Sequence, residues 1–129
     1  MIGLDTNVLV RYLTQDDTEQ AKRANRIIDR LTPENPGFVP LVALVELVWV
    51  LEGCYRQDKE RILAILRELL STRQLRVETA DIAWAAMKRF EAGKADFSDA
   101  LIAVSAEFHG CETTLTFDKN ALSVGMRRA

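Results

Sequence analysis

Carboxylate side chains occur at four separated places in the 129-residue sequence: Asp5, Glu46, Asp99 and Asp118. If the four groups converge, they repel each other and raise each other's pKa values. A hard divalent cation removes this penalty, and a carboxylate site without His or Cys selects Mg²⁺ or Mn²⁺ over zinc. Such a metal activates a bound water and stabilises charge on phosphate oxygens, so the four acids favour phosphodiester hydrolysis.

Two of these acids, Asp5 and Asp118, each follow a predicted strand, at residues 1–4 and 113–117. In a parallel α/β sheet the carboxyl ends of the strands lie at one edge, where ligands bind. We therefore expect both acids at this edge. Taken singly, each is explained equally well as the N-cap of the helix that follows it.

Glu46 is the only charged residue in the apolar segment 41–51, which is predicted to be a largely buried helix. A buried and unpaired carboxylate is costly, or its pKa shifts until it is neutral. The sequence therefore predicts a compensating partner, which is a basic side chain or a metal. The alternative is that Glu46 reaches solvent from a helix edge or forms a structural ion pair.

Two acids open the helix predicted over residues 97–108. Asp96 is its expected N-cap, and Asp99 at the third helical position completes an acidic variant of the capping box. Small and apolar residues follow Asp99, which places this first turn near the core. Capping is therefore a weaker explanation for Asp99 than for Asp96.

Short strands alternate with helices along the chain, which favours an α/β fold in a single domain over residues 1–129. Residues 124–126 could supply a final edge strand, which would be very short or absent. Further helices are predicted from capping and periodicity to follow these residues: Asp17, Pro40, Asp58 and Thr79.

The composition, with 48% hydrophobic and 28% charged residues, is that of a soluble globular protein. The net charge of −2 excludes binding of nucleic acid by a broadly basic surface and leaves a local site with a metal. No apolar segment is long enough to cross a bilayer and no signal peptide is visible, which favours a cytoplasmic location. Cys54 and Cys111 lack metal-ligand spacing and are expected to be reduced, half-buried thiols.

Four segments occur in this order along the chain: IGLDTNVL at residues 2–9, Glu46 in its apolar helix, DFSDALI at 96–102 and TLTFDK at 114–119. Together they resemble the PIN domain family and more narrowly the VapC-type toxins. These toxins are the ribonuclease half of bacterial and archaeal toxin–antitoxin pairs. The resemblance covers nearly the whole chain, and its motifs are weak singly but specific together.

The resemblance implies an α/β/α sandwich around a short, mostly parallel sheet. It also implies an endoribonuclease that cleaves RNA with Mg²⁺ or Mn²⁺ and a metal-activated water. Matched by motif, Asp5, Glu46, Asp99 and Asp118 are its expected metal-binding and catalytic residues. Polar residues beside them are candidates to hydrogen-bond the ligands: Thr6, Asn7, Asp96 and Thr116.

VapC-type proteins form homodimers and are inhibited by a VapB-type antitoxin, so the resemblance implies both partners, with RNA as substrate and no membrane. An antitoxin's basic side chain suits a pocket of acids. Basic residues such as Arg11 and Lys119 are candidates to contact RNA phosphates, and the alternative for each is a solvated surface charge.

Three other functions are compatible with parts of the sequence. An aspartate-nucleophile phosphatase would use Asp5 but would also need an acid at the position of Asn7. A nucleotide-binding module lacks a glycine-rich phosphate loop. The remaining alternative is a catalytically silent PIN-like module whose acids dock a basic partner peptide. Metal binding with turnover distinguishes the enzyme from this module.

Overall fold

The computed structural model describes residues 1–129, which fall into two compact units, residues 1–78 and 79–129. Each unit combines helices with short strands that pair only in parallel. The predicted α/β class with a short parallel sheet is therefore confirmed. None of the helices has the length and apolar character needed to span a membrane.

The first unit contains a three-stranded parallel sheet in the order β1-β2-β3. Ile2 pairs with Gly37, and Gly37 pairs in turn with Leu75. The elements in chain order are β1 Ile2–Gly3, α1 Thr6–Thr14, α2 Thr18–Asp29, β2 Gly37–Val39, α3 Leu41–Gly53, α4 Lys59–Ser71 and β3 Leu75–Val77.

The helices of this unit begin where the sequence predicts because their first residues are fixed locally. The Asp17 carboxylate accepts a hydrogen bond from the backbone N–H of Gln20 at 2.9 Å. Asp58 accepts one from the N–H of Arg61 at the same distance, 2.9 Å. Each bond satisfies a backbone donor that the helix itself leaves unpaired, so the cap residue alone marks the start.

Helix α3 has one buried and one exposed face although nearly all of its residues are apolar. Leu44 and Leu47 are completely buried in the core, whereas Val42 and Trp49 are 67% and 55% exposed. Glu46 lies on the exposed side. The prediction that Glu46 is buried is therefore wrong, and the alternative, that it reaches solvent from a helix edge, is confirmed. A uniformly apolar helix carries no pattern that tells its two faces apart.

The second unit pairs two strands in parallel and packs them with helices. Leu115 pairs with Arg127 in this two-stranded sheet. The strand predicted at residues 113–117 is shortened to two residues, and the final edge strand lies at 127–128 instead of 124–126. The elements are α5 Ala80–Ala92, α6 Phe97–Phe108, β4 Leu115–Thr116, a 3₁₀ helix Lys119–Val124 and β5 Arg127–Arg128.

Helices α5 and α6 are joined through apolar and charged contacts. The rings of Phe90 and Phe97 meet edge to face, with centroids 6.0 Å apart. Arg89 on α5 forms an ion pair with Glu107 on α6 through two hydrogen bonds. It donates a third hydrogen bond to the carbonyl of Val124 at 3.1 Å. Arg89 therefore ties the end of the 3₁₀ helix to both longer helices.

Two local predictions, on Thr79 and on the cysteines, are wrong. Thr79 precedes α5 but does not cap it, because it adopts a left-handed conformation with φ of 45° and its side chain makes no capping hydrogen bond. Cys54 and Cys111 are free but exposed, so the expectation of half-buried thiols is wrong. Cys54 sits at the end of α3, and Cys111 follows the glycine turn after α6.

The strands that precede Asp5 and Asp118 belong to different sheets, β1 to the first and β4 to the second. The prediction of a single sheet edge that carries both acids is therefore not met by the pairing. Strands of two or three residues form too few ladder hydrogen bonds for sequence pattern to specify their neighbours.

Candidate functional site

Asp5 stands at the junction of β1 and α1. The preceding residue, Leu4, is buried, and its N–H donates to the carbonyl of Phe38 at 2.9 Å, which anchors the end of the strand. Asp5 is the N-cap of α1, and its Oδ1 accepts a hydrogen bond from the N–H of Thr6 at 2.8 Å. The carboxylate is exposed. Its second oxygen is available to a ligand.

Glu46 is held by a hydroxyl group. Thr6 Oγ1 donates a hydrogen bond to Glu46 Oε1 at 3.0 Å, which connects α1 to α3. The sequence predicted a basic side chain or a metal beside a buried Glu46. The structure instead shows an exposed Glu46 that contacts a hydroxyl group. A hydroxyl donor fixes the orientation of a carboxylate and occupies only part of its acceptor capacity, so Glu46 can still accept another partner.

Asp5 and Glu46 line one groove of the first unit, with a volume of about 450 Å³. We call it the acidic groove. Thr6 and Asn7, both predicted to lie beside the acids, also line it. So does Tyr55, which sequence reasoning missed. No motif marks Tyr55, which follows the end of α3 in an irregular turn, and only the folded chain shows its proximity.

The second unit brings together Asp96, Asp99 and Asp118. Asp96 is the N-cap of α6, as predicted, because its Oδ1 accepts hydrogen bonds from the N–H of Asp99 at 2.9 Å and from the Ser98 hydroxyl at 2.8 Å. The cap fixes the first turn of the helix. It therefore also fixes the backbone from which the Asp99 side chain projects.

Asp99 is the half-buried member of this group. Burial raises the pKa of its carboxyl group to about 6, and repulsion from Asp96, a hydrogen bond with Asp96 and repulsion from Asp118 add to the shift. Ionisation of Asp99 is therefore less favourable than that of an aspartate in water. A cation placed beside these carboxyl groups would favour ionisation.

Asp118 begins the 3₁₀ helix, and its Oδ1 accepts a hydrogen bond from the N–H of Asn120 at 2.8 Å. The Thr116 hydroxyl accepts from the N–H of Asp118 at 2.9 Å. Thr116 therefore shapes the turn that presents Asp118 and does not donate to its carboxylate. Asp118 itself is exposed.

The donor chemistry of both units fits a hard cation. Carboxylate and hydroxyl oxygens are the ligands that Mg²⁺ and Mn²⁺ prefer, and the four motif acids supply such oxygens. Cys54 also lines the acidic groove, but it is a lone cysteine there and no His accompanies it. Within neither unit do three His, Cys, Asp or Glu side chains form a ready-made ligand cluster.

Residues 2–125 match the family model of the PIN domain, so the chain belongs to the PIN domain family. The match runs across both units, and the resemblance carried by the four sequence motifs is confirmed. The chain is also similar to a protein of Aquifex aeolicus (strain VF5) named VapC ribonuclease. The two are 26% identical over 125 residues, which cover 96% of this chain and 92% of the relative.

Proposed function

We propose that this PIN domain protein is a metal-dependent endoribonuclease that acts as the toxin of a type II toxin–antitoxin pair. The observation that carries the proposal is the accessibility of carboxylates at all four motif positions. Asp5, Glu46 and Asp118 are exposed, and Asp99 is only half-buried. Membership of the family and similarity to a relative named VapC ribonuclease support the same activity.

The proposed metal is Mg²⁺ or Mn²⁺, and its proposed ligands, direct or through water, are Asp5, Glu46, Asp99 and Asp118. When bound, the metal would activate a water for attack on the phosphorus and offset the negative charge of the reacting phosphate. The all-oxygen donor set and the raised pKa of Asp99 beside two other acids are consistent with such an ion.

The other residues of the chain hold these groups in place. The Thr6 hydroxyl orients Glu46, and the Asp96 cap orders the turn that carries Asp99. The N–H of Asn120 holds one oxygen of Asp118 and leaves the other for a ligand. Groups that are fixed before the substrate arrives lose less entropy in the reaction.

We further propose a VapB-type antitoxin, a homodimer and a cytoplasmic location. The acidic groove offers the carboxylates of Asp5 and Glu46 to a basic side chain, and Arg pairs with carboxylates through two parallel hydrogen bonds. An arginine of the antitoxin would thus occupy the position of the metal and block turnover.

The test is cleavage of a panel of structured and single-stranded RNAs by antitoxin-free protein with Mg²⁺ or Mn²⁺, and with EDTA. Asp99→Asn, purified identically, should be inactive, and metal binding by calorimetry should weaken. Asp81→Asn is the matched control, since Asp81 is an exposed acid in the first turn of α5 in the same unit. It should cleave like wild type.

Three results would contradict the proposal. Cleavage that persists in EDTA would contradict the metal requirement. Full activity of Asp99→Asn would contradict the assignment of Asp99 to the active site. Absence of both cleavage and metal binding would instead favour the silent module that docks a basic peptide.

A further inference from the structure

A polar cluster centred on Asp16 includes two residues that line the acidic groove, Arg11 and Tyr55. The Tyr55 hydroxyl donates to Asp16 Oδ2 at 2.6 Å, and Arg11 Nη1 donates to Asp16 Oδ1 at 3.1 Å. The Thr14 hydroxyl donates to Asp16 Oδ1 at 2.8 Å. Three segments therefore meet at one carboxylate: the end of α1, the loop after it and the turn after α3.

The groove is lined by residues of α1 and α3, with Asp5 and Glu46 near one end and Arg11 and Tyr55 near the other. Thr6 contacts Glu46, and Arg11 contacts Tyr55, so the two helices lie side by side between these contacts. At about 1.5 Å per residue, Arg11 lies about 9 Å beyond Asp5 along α1. Both ends line the same groove.

The aromatic ring of Tyr55 is held in a fixed orientation. Its hydroxyl donates to Asp16 and accepts from Arg11 Nη1 at 3.3 Å. Arg11 is itself restrained, because its Nε donates to Gln20 Oε1 at 2.6 Å. An aromatic group that is ordered before a ligand arrives loses little rotamer entropy on binding.

The charge of the cluster favours an uncharged ligand. Asp16 pairs with Arg11 and offsets its positive charge, so the cluster exerts little net attraction on a phosphate. A flat ring at the wall of a groove, with polar hydrogens beside it, is instead suited to a nucleobase. Nucleobases in single strands stack on Tyr with little dependence on sequence.

We propose that this end of the acidic groove is a nucleobase subsite, in which the Tyr55 ring stacks on an unpaired base next to the cleaved phosphodiester. The inference rests on the proposed ribonuclease function and names its substrate class as single-stranded or looped RNA. The volume of about 450 Å³ is within the range of ligand sites. Asp16 and Arg11 are positioning residues, because they act by fixing the ring.

The experiment compares wild type with two variants, Tyr55→Leu and Tyr55→Phe, on intact RNA and on RNA with one abasic nucleotide beside the mapped cleavage position. If Tyr55 stacks on a base, the abasic RNA lowers kcat/KM of wild type by about 5- to 150-fold. On intact RNA, the kcat/KM of Tyr55→Leu is lower than that of wild type by a similar factor. On abasic RNA, the kcat/KM values of Tyr55→Leu and wild type differ little. Tyr55→Phe keeps the ring and retains most of the abasic effect.

Tyr12→Leu is the matched control, because Tyr12 is a half-buried tyrosine of the same unit that does not line the groove. It should show the wild-type abasic effect. The subsite is overturned if Tyr55→Leu cleaves intact RNA like wild type. It is equally overturned if this variant loses the same factor on both RNAs, since a merely structural residue would not distinguish them.

Failure of the proposed function gives a different result. If wild type cleaves no RNA, binding of a fluorescein-labelled single-stranded decamer in Mg²⁺ decides the matter by anisotropy. Weaker binding by Tyr55→Leu than by Tyr12→Leu supports the nucleobase subsite even though the ribonuclease activity is absent. Equal binding by the two variants overturns it.

Discussion

The hydroxyl of Thr6 lies 3.0 Å from Oε1 of Glu46, across 40 residues of sequence. The residue after one candidate ligand, Asp5, therefore holds a second candidate ligand on another helix. The distance between the two carboxylates depends on this bond, because an exposed glutamate otherwise has three free rotatable bonds. Few single contacts in the first unit bear so directly on the site.

Replacement of Thr6 by Val removes the hydroxyl but keeps the shape of the side chain. Groups that hydrogen-bond a metal ligand typically contribute 10- to 100-fold to affinity or activity, so we expect kcat/KM for RNA to fall by about that range. Thr6→Ser keeps the donor and should remain close to wild type. Equal rates for the two variants would show that the bond does not position Glu46.

The Asp16 carboxylate should make stability depend on acid pH. Hydrogen bonds from Tyr55 and then Thr14, with Arg11 as a smaller cause, lower its pKa from 3.8 to about 2. A pKa lowered in the folded state stabilises the fold above pH 3.8, and this contribution is lost as the pH falls towards 2. Urea midpoints of wild type and Asp16→Asn should differ at pH 6 and converge between about pH 4 and 2. The exposed α2 residue Asp29, changed to Asn, provides the control.

Phe97 carries much of the packing between α5 and α6. It is 1% exposed and meets the Phe90 ring edge to face. Phe97→Ala should lower the free energy of unfolding by about 3–5 kcal/mol, because the cavity cannot fully collapse. Phe108→Ala removes a 55% exposed ring from the same helix. This variant should change the free energy of unfolding by no more than about 0.5 kcal/mol. Urea denaturation of both variants measures the difference.

Gly125 allows Arg89 to approach the end of the 3₁₀ helix. Its φ is +101°, and a Cβ there would lie 2.8 Å from Arg89 Nη1. Gly125→Ala should therefore cost about 1–3 kcal/mol through strain, besides displacing the guanidinium. Gly53→Ala is the control, since nothing lies within 4 Å of its added carbon and it ends a helix with negative φ. A Gly125→Ala protein as stable as Gly53→Ala would contradict this account.

The helix starts and the motif acids could be predicted from sequence because the interactions that define them are local. Asp17, Asp58 and Asp96 each bond to an N–H three residues on, so the signal lies within one turn. The PIN resemblance was similarly carried by short segments of sequence. The role of each acid as a ligand stays a prediction.

The features that sequence did not predict depend on distant contacts. Glu46 is exposed because the opposite face of α3 packs against the core. The apolar pattern of α3 does not predict which face is buried. Tyr55 reaches Asp16 across 39 residues, and no spacing rule links them. The division of the strands into two sheets likewise follows from pairings of two or three residues.

Three of the acids serve as N-caps: Asp5, Asp96 and Asp118. Helix capping alone would preserve them during evolutionary drift, even in a descendant that had lost all catalysis. Their presence in a relative is therefore weak evidence of activity, and alanine at these positions would confuse unfolding with inactivation. Glu46 and Asp99 cap nothing with their side chains. These two positions are therefore the best guide to whether a PIN domain sequence encodes an active enzyme.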